Sequence, residues 1–368
     1  MNLTPHQEAM IDIGRVAFRK DASDIHIEPT RDGTIVRLRI DGTLKQIQKI
    51  DGESSSLFIE QVKQLLGFDM GTLGMPQDSR WSHPDEMVDF RCNIFPIIHG
   101  EKLCLRLLER DKKFSLESYP LFDEPKSDLF RLINKKSGLI IVSGPTGSGK
   151  STLLYSVLGS IDREKLNVNT VEDPIEYELE GLNQSGVDKK KGYGFADALR
   201  ALMRQDPDVI MVGEIRDEET AEAALHAAST GHLVLTTVHA NDSKEILTRL
   251  AGLGVPREPI EAALLFASAQ RLARKLCDHC KVEAPEDIKL LDSFFGVEVD
   301  FMPQKEGEGC EMCDHQGIKG RRLVFEHLQK DESKIERPLG LSGSLRDSTF
   351  ELVRKGEISA NEAYGQFL

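Results

Sequence analysis

The stretch Gly144-Pro145-Thr146-Gly147-Ser148-Gly149-Lys150-Ser151 constrains this chain more than any other. It fits G-x-x-x-x-G-K-[ST] at every fixed position. An apolar, strand-like run from Leu139 to Val142 precedes it, and a helix-like run from Thr152 to Leu158 follows. A glycine-rich turn in that position folds tightly enough for successive N–H groups to converge on phosphate oxygens, and the helix N-terminus adds partial positive charge. In this reading Gly144, Pro145, Thr146, Gly147, Ser148, Gly149 and Thr152 form the cradle. Lys150 reaches the β- and γ-phosphates, and the Ser151 hydroxyl holds Mg²⁺. A chance turn would not bring three glycines, a lysine and a hydroxyl into register between strand and helix. The motif implies binding of a nucleoside triphosphate.

A length of 368 residues corresponds to about two or three domains. Hydrophobic content of 39% and charged content of 29% suit a soluble globular chain. No apolar run approaches the roughly 18 residues of a membrane span. The start, Met1-Asn2-Leu3-Thr4-Pro5-His6, has neither a basic nor an apolar signal region, so a cytoplasmic protein is expected. A net charge of −14 weighs against non-specific nucleic-acid binding, although a local basic groove could survive it. Of six cysteines, Cys92 and Cys104 fall in strand-like segments and read as buried thiols.

Along the chain, residues 6–20 carry apolar side chains at helical spacing. Alternating segments follow at Asp24 to Glu28 and Ile35 to Ile40, and the turn signals Asp32-Gly33 and Asp41-Gly42 divide a three-stranded meander. Ser54 to Gly67 returns to helix, and strands at Val88 to Phe95 and Lys102 to Leu108 flank His99-Gly100. Residues 1–112 thus read as an α+β domain. Residues 113–127, polar and containing two prolines, read as a linker. Residues 128–368 read as an α/β domain. Its apolar runs at 139–142, 168–171, 209–212 and 233–238 alternate with helices, the pattern of a parallel sheet with the phosphate loop after its first strand.

Three clusters beyond the loop suit a triphosphate site. Val171-Glu172-Asp173-Pro174-Ile175-Glu176-Tyr177 places acids at a strand's carboxyl end, where a carboxylate can polarise water or hold metal; a solvated acidic loop is the alternative. Asp208 to Asp217 contains an apolar strand that resembles a Walker B strand, with Gly213 at the usual Asp position and Glu214 as the acid. Thr230 to Asn241 puts Thr237, His239 and Asn241 at the end of another buried strand. His239 could hydrogen-bond a γ-phosphate or be structural. Arg200 and Arg204, at i and i+4 of a helix-like run, could clamp a triphosphate or pair on the surface with Asp197 or Glu214.

In this order and spacing, these clusters resemble the secretion ATPase superfamily of type II secretion and type IV pilus assembly. Ala22-Ser23-Asp24-Ile25-His26-Ile27-Glu28-Pro29, Arg37 to Gly42, Pro76-Gln77-Asp78-Ser79-Arg80 and Gly100 to Leu108 resemble the family's second N-terminal domain. The resemblance covers about residues 20–330. It implies a RecA-type ATPase domain, a homo-hexameric ring, and nucleotide between the two domains. Arg91 and Arg106 would act as arginine fingers from the first domain. Glu172 would activate water and Glu214 would support Mg²⁺. It further implies a motor on the cytoplasmic face of the inner membrane, held there by a platform protein.

Cys277-Asp278-His279-Cys280 and Cys310-Glu311-Met312-Cys313 are two C-x-x-C knuckles with 29 residues between Cys280 and Cys310. Four thiolates at that spacing suit a closed structural Zn²⁺ site within an insert at about 277–322. Disulfides, a redox pair, or substitution of one thiolate by His279 or His315 are the alternatives. In the family such a tetracysteine insert marks assembly and secretion motors, which favours extension of a pilus or pseudopilus. Many assembly members carry a further N-terminal domain, and its absence is expected here because the helix at 6–20 leads directly into the Ser23-to-Pro29 motif. The helical pattern near Ser344 to Leu368 fits the family's C-terminal helices loosely. Competing readings are a retraction or type IV secretion ATPase, a nucleic-acid translocase on the same core, and a nucleotide-sensing scaffold.

Overall fold

The computed structural model describes residues 3–110, 112–331, 334–336 and 343–367. The chain divides into two compact units, Met1–Lys112 and Lys113–Leu368.

In the first unit, α1 (Pro5–Arg19) starts from a capping box: Thr4 Oγ1 accepts the Gln7 N–H, and the Gln7 side chain accepts the Thr4 N–H. The strands β1 (Asp24–Thr30), β2 (Gly33–Ile40) and β3 (Thr43–Asp51) form the expected meander. Then come α2 (Gly52–Leu65), β4 (Gln77–Ser82), β5 (Val88–Ile97) and β6 (Gly100–Glu109). All six strands form one antiparallel sheet in the order β3-β2-β1-β6-β5-β4. One face packs Ile25, Ile27, Leu38, Phe90 and Leu105 against Met10 of α1 and Phe58 and Val62 of α2. On the other face the registers line up Arg80, Arg91, Arg106, Asp24 and Arg39 as cross-strand neighbours. Cys92 is fully buried, which pushes its thiol up to about 12, whereas Cys104 is only half-buried.

In the second unit, α3 (Asp123–Leu132) leads into β7 (Gly138–Ser143), the phosphate loop and α4 (Lys150–Gly159). Next are β8 (Val168–Glu172), β9 (Asn183–Gly186), α5 (Phe195–Leu202), β10 (Val209–Val212), α6 (Glu218–Ser229) and β11 (Leu233–Val238). After α7 (Glu245–Gly252) and α8 (Arg257–Ala263), the long β12 (Leu264–Leu276) crosses back along β7. The excursion β13 (Val282–Glu283), α9 (Ile288–Phe295) and β14 (Gln304–Lys305) precedes β15 (Ile318–Asp331). The chain ends with β16 (Lys334–Glu336), α10 (Leu345–Arg354) and α11 (Ala360–Gly365).

The sheet order is β16-β15-β12-β7-β11-β10-β8-β9. Strands β12 through β9 are parallel, and β15 and β16 add an antiparallel margin. Strands β7, β10 and β11 are buried throughout and mostly apolar because both faces are covered. Leu139, Ile141, Ile210 and Val234 pack towards α5 to α8, while Ile140, Val142, Met211 and Leu235 pack towards α3 and α4.

The segment expected to be a linker is part of this core. Phe114, Leu116, Tyr119 and Leu121 are each at most 9% exposed and pack with α3, α4 and the sheet. Its apolar residues are spaced two or three apart among polar ones, so composition hides a strap whose side chains dock individually.

Candidate functional site

At the end of β7 the chain turns through Gly144, Gly147 and Gly149, with φ of 142°, 79° and 88°. A Cβ at Gly144 would lie 2.3 Å from the Gln270 carbonyl oxygen, so only glycine fits there. Gly149 caps α4 without a side-chain bond, which leaves the first-turn N–H groups for an anion. Lys150 folds over the loop, its Nζ donating to the Gly144 carbonyl at 2.8 Å and the Pro145 carbonyl at 3.0 Å. Burial lowers its pKa, opposed by the charges of Glu214 and Glu176. Ser151 is exposed in the first turn of α4.

Glu214 follows β10 and pairs with Arg216 at 2.6 Å, with His239 Nε2 3.7 Å away. Thr237 Oγ1 donates to the Gly213 carbonyl at 2.7 Å, which ties the end of β11 to the Gly213-Glu214 turn. His239 has its pKa lowered by burial and by the Lys150 charge, partly offset by Glu214, and hydrogen-bonds the backbone of Gly144. Behind it, Glu326 of β15 is buried and accepts from Ser243 N and Ser243 Oγ at 2.6 and 2.7 Å, fixing the loop that carries His239. Lys150, Glu214 and His239 therefore meet at the carboxyl ends of adjacent parallel strands, and Ser151 adjoins Lys150.

Three of the expected site residues make other contacts. Glu172 is 4% exposed, with its oxygens taken by Tyr155 Oη, by Thr170 Oγ1 at 2.6 Å and by Gln184 Nε2 at 3.1 Å. Both oxygens of the acid expected to activate water are thus engaged by side chains of α4, β8 and β9. The acid of this segment whose charge reaches Lys150 is Glu176, and its backbone N–H donates to Tyr155 Oη at 3.4 Å. Both acids lie in the cluster Val171 to Tyr177, and burial with the Tyr155, Thr170 and Gln184 side-chain bonds sets Glu172 apart. The other two are Arg200 and Arg204. Helix α5 ends at Leu202, so Arg204 lies beyond it and donates to the Arg200 carbonyl at 3.0 Å. Arg200 pairs with Asp197 at 3.4 Å and Glu219 at 3.3 Å, the surface alternative in part.

Arg91 and Arg106 belong to the first unit. They are cross-strand partners on the outer face of its sheet, both exposed, and Arg106 Nε donates to Asp24 Oδ1 at 3.1 Å.

The four knuckle cysteines converge where β12 ends and β15 begins, because the antiparallel register sets Leu276 opposite Ile318. Their Sγ atoms all lie within 4.8 Å of one another, with Cys277–Cys310, Cys280–Cys313 and Cys310–Cys313 each at 3.8 Å. Four thiolates about 2.3 Å from one tetrahedral ion stand about 3.8 Å apart, so the cluster fits Zn²⁺. All four cysteines are free thiols, and neither His279 nor His315 is part of the cluster. The N–H groups of Cys310 and Gly317 donate to Cys313 Sγ at 3.3 and 3.2 Å, which stabilises a thiolate.

The family model described as Type II/IV secretion system protein matches residues 4–354. The chain belongs to this family. It is 41% identical over 338 residues to the type IV pilus assembly ATPase PilB of Thermus thermophilus, covering 89% of this chain and 37% of that protein. It is 39% identical over 354 residues to the type II secretion system protein E of Aeromonas hydrophila, covering 92% and 70% respectively. The chain thus spans little more than a third of the first relative's length and about two thirds of the second's. The crystal structure of the pilus retraction motor PilT with bound ADP aligns with a TM-score of 0.65 at 26% identity, covering 97% of this chain and 96% of that one. The Legionella pneumophila ATPase DotB shares the fold, with a TM-score of 0.69 at 22% identity and coverage of 99% and 98%. Among the described residues, no helix is long and apolar enough to cross a membrane.

Proposed function

We propose that this family member is an ATPase motor for assembly of a type IV pilus or type II secretion pseudopilus. One observation carries the reading: the convergence of Lys150, Glu214 and His239 on a phosphate loop at the carboxyl ends of parallel strands. In it, the loop N–H groups and Lys150 bind the triphosphate, and His239 contacts the γ-phosphate. Ser151 and Glu214 hold a Mg²⁺ ion, which neutralises phosphate charge. Glu176 accepts the proton of the attacking water. Glu172, through Tyr155, fixes the acidic segment against α4.

Arg91 and Arg106 are proposed to supply cations from the first unit when nucleotide draws the two units together in a homo-hexamer. ADP lacks the γ-phosphate that these charge-assisted bonds need, so hydrolysis would release the arginines and let the units part. Names of relatives from pilus assembly and type II secretion at about 40% identity support the choice of machine, as does the tetracysteine cluster. The partner in this reading is a platform protein at the cytoplasmic face of the inner membrane. Replacing Lys150 by Ala tests the site. ATP binding and turnover should both be abolished, and near-normal hydrolysis by Lys150→Ala would sink the assignment.

A further inference from the structure

The residues just after Lys112 form a strap along the helix of the phosphate loop. At the C-terminal end of α4, a Cβ on Gly159 would come 2.0 Å from the Phe114 carbonyl oxygen, and the Leu116 N–H donates to Ser160 Oγ at 2.9 Å. At its N-terminal end, a Cβ on Gly149 would lie 3.7 Å from Tyr119 Oη. Between these contacts the strap runs the length of the ten-residue helix, about 15 Å.

Tyr119 reaches the loop through one further side chain. Gln270 of β12 is fully buried, and its Nε2 donates to the Ser148 carbonyl at 2.7 Å and to Tyr119 Oη at 3.3 Å. In a trans peptide the C=O and the following N–H point in opposite directions. Holding the Ser148 carbonyl against Gln270 therefore aims the Gly149 N–H away from β12. Without that donor, the buried carbonyl loses its partner and the peptide is free to rotate about a residue at φ 88°. The strap's other end touches both α4 and the acidic segment: the Phe114 ring lies 5.2 Å from Tyr155 of α4 and 5.0 Å from Tyr177 between centroids.

We propose that Gln270 and Tyr119 are positioning residues for the phosphate loop, and that through them the strap leaving the first unit responds to nucleotide in the loop. The proposal rests on the reading of that loop as the nucleotide site. Its sequence signal is slight, because neither residue lies in a nucleotide motif.

The test uses the full chain and measures Kd for a fluorescent ATP analogue and for ADP, with melting temperature and amide hydrogen exchange of residues 114–121. Gln270→Leu should weaken both nucleotides roughly tenfold, as expected for a buried carbonyl losing its donor. Tyr119→Phe should weaken them roughly threefold, and the double variant should be no worse than Gln270→Leu. Nucleotide should slow exchange in the strap of the parent and not in Gln270→Leu. A merely structural role would lower the melting temperature and leave Kd in place. If Lys150→Ala abolishes binding while Gln270→Leu stays within twofold of the parent, the inference is overturned and the site stands. If Lys150→Ala also binds normally, the site assignment itself fails. Should Gln270→Leu not fold, Tyr119→Phe decides alone: unchanged Kd with an unchanged strap response overturns the proposal.

Discussion

Exchanging Glu172 and Glu176 for glutamine tests whether the first is an anchor and the second the base proposed above. Glu172 is buried and accepts from three donors, of which Tyr155 Oη is the one on α4. Glu172→Gln keeps a single acceptor oxygen and sets an NH₂ group against donors on one side. A hydrogen bond to a buried charged group contributes about 1.5–3 kcal/mol, so a loss of about 2 kcal/mol is expected. In a unit of this size that lowers the melting temperature by roughly 4–8 °C. Tyr155→Phe removes the same bond from the other partner and should fall in the same range. Neither change removes a group from the water-activating position, so turnover at 25 °C should drop less than about tenfold. Glu176→Gln should behave in reverse, with an unchanged melting temperature and turnover down by roughly a hundredfold or more, as for loss of a general base. The assay pairs thermal unfolding with steady-state ATP hydrolysis on the same preparations. If Glu172→Gln melts like the parent yet loses a hundredfold in turnover, the anchor argument is refuted.

Metal analysis should give about one zinc per chain, and Cys313→Ser should lose it together with a step in thermal stability; metal-free protein with oxidised thiols would contradict the cluster's role. Under the proposed function, Arg91→Ala should leave the first unit's melting unchanged and cut ATP hydrolysis by the full chain. Hydrolysis by an isolated Lys113–Leu368 fragment at the full chain's rate would count against the two-unit site. Glu28 provides a pH prediction: burial alone would raise its pKa, but hydrogen bonds from Arg37 and Lys102, each at 2.7 Å, bring it to about 2. Because the folded value is depressed, its contribution is present above about pH 4.5 and is lost as pH falls towards 2. Glu28→Gln should therefore be less stable at pH 7, on the order of 2 kcal/mol, and equal to the parent near pH 2; parallel stability curves across that range would argue against the linkage.

What could be read from the sequence was what repeats locally. The runs at 139–142, 209–212 and 233–238 are strands because both faces are buried, and that leaves an apolar trace in consecutive residues. The phosphate loop and the C-x-x-C pairs are legible because their chemistry fixes spacing. Strand β12 leaves no such trace. Leu264 to Leu276 is rich in Ala, Leu, Arg and Lys, which favour helix, and pairing with β7 and β15 overrides that preference. Glu172 and Glu176 look alike in sequence; a tyrosine 17 residues earlier decides which one turns inward. The strap was hidden for a related reason, since its partners Gly159 and Ser160 lie more than forty residues downstream.

The β12–β15 pair also bears on how the site comes into being during synthesis. The phosphate loop leaves the ribosome well before its supports do: Gln270 follows Ser148 by 122 residues, and Glu326 follows Ser243 by 83. Between the two supporting strands lies the chain segment closed by the four cysteines, and capture of a metal there shortens the loop that must close before β15 can pair. At a translation rate of about 5–20 residues per second, the nascent chain carries an unbraced phosphate loop for several seconds. If the loop binds nucleotide as proposed, that competence comes only once Gln270 of β12 has been made, 122 residues after Ser148.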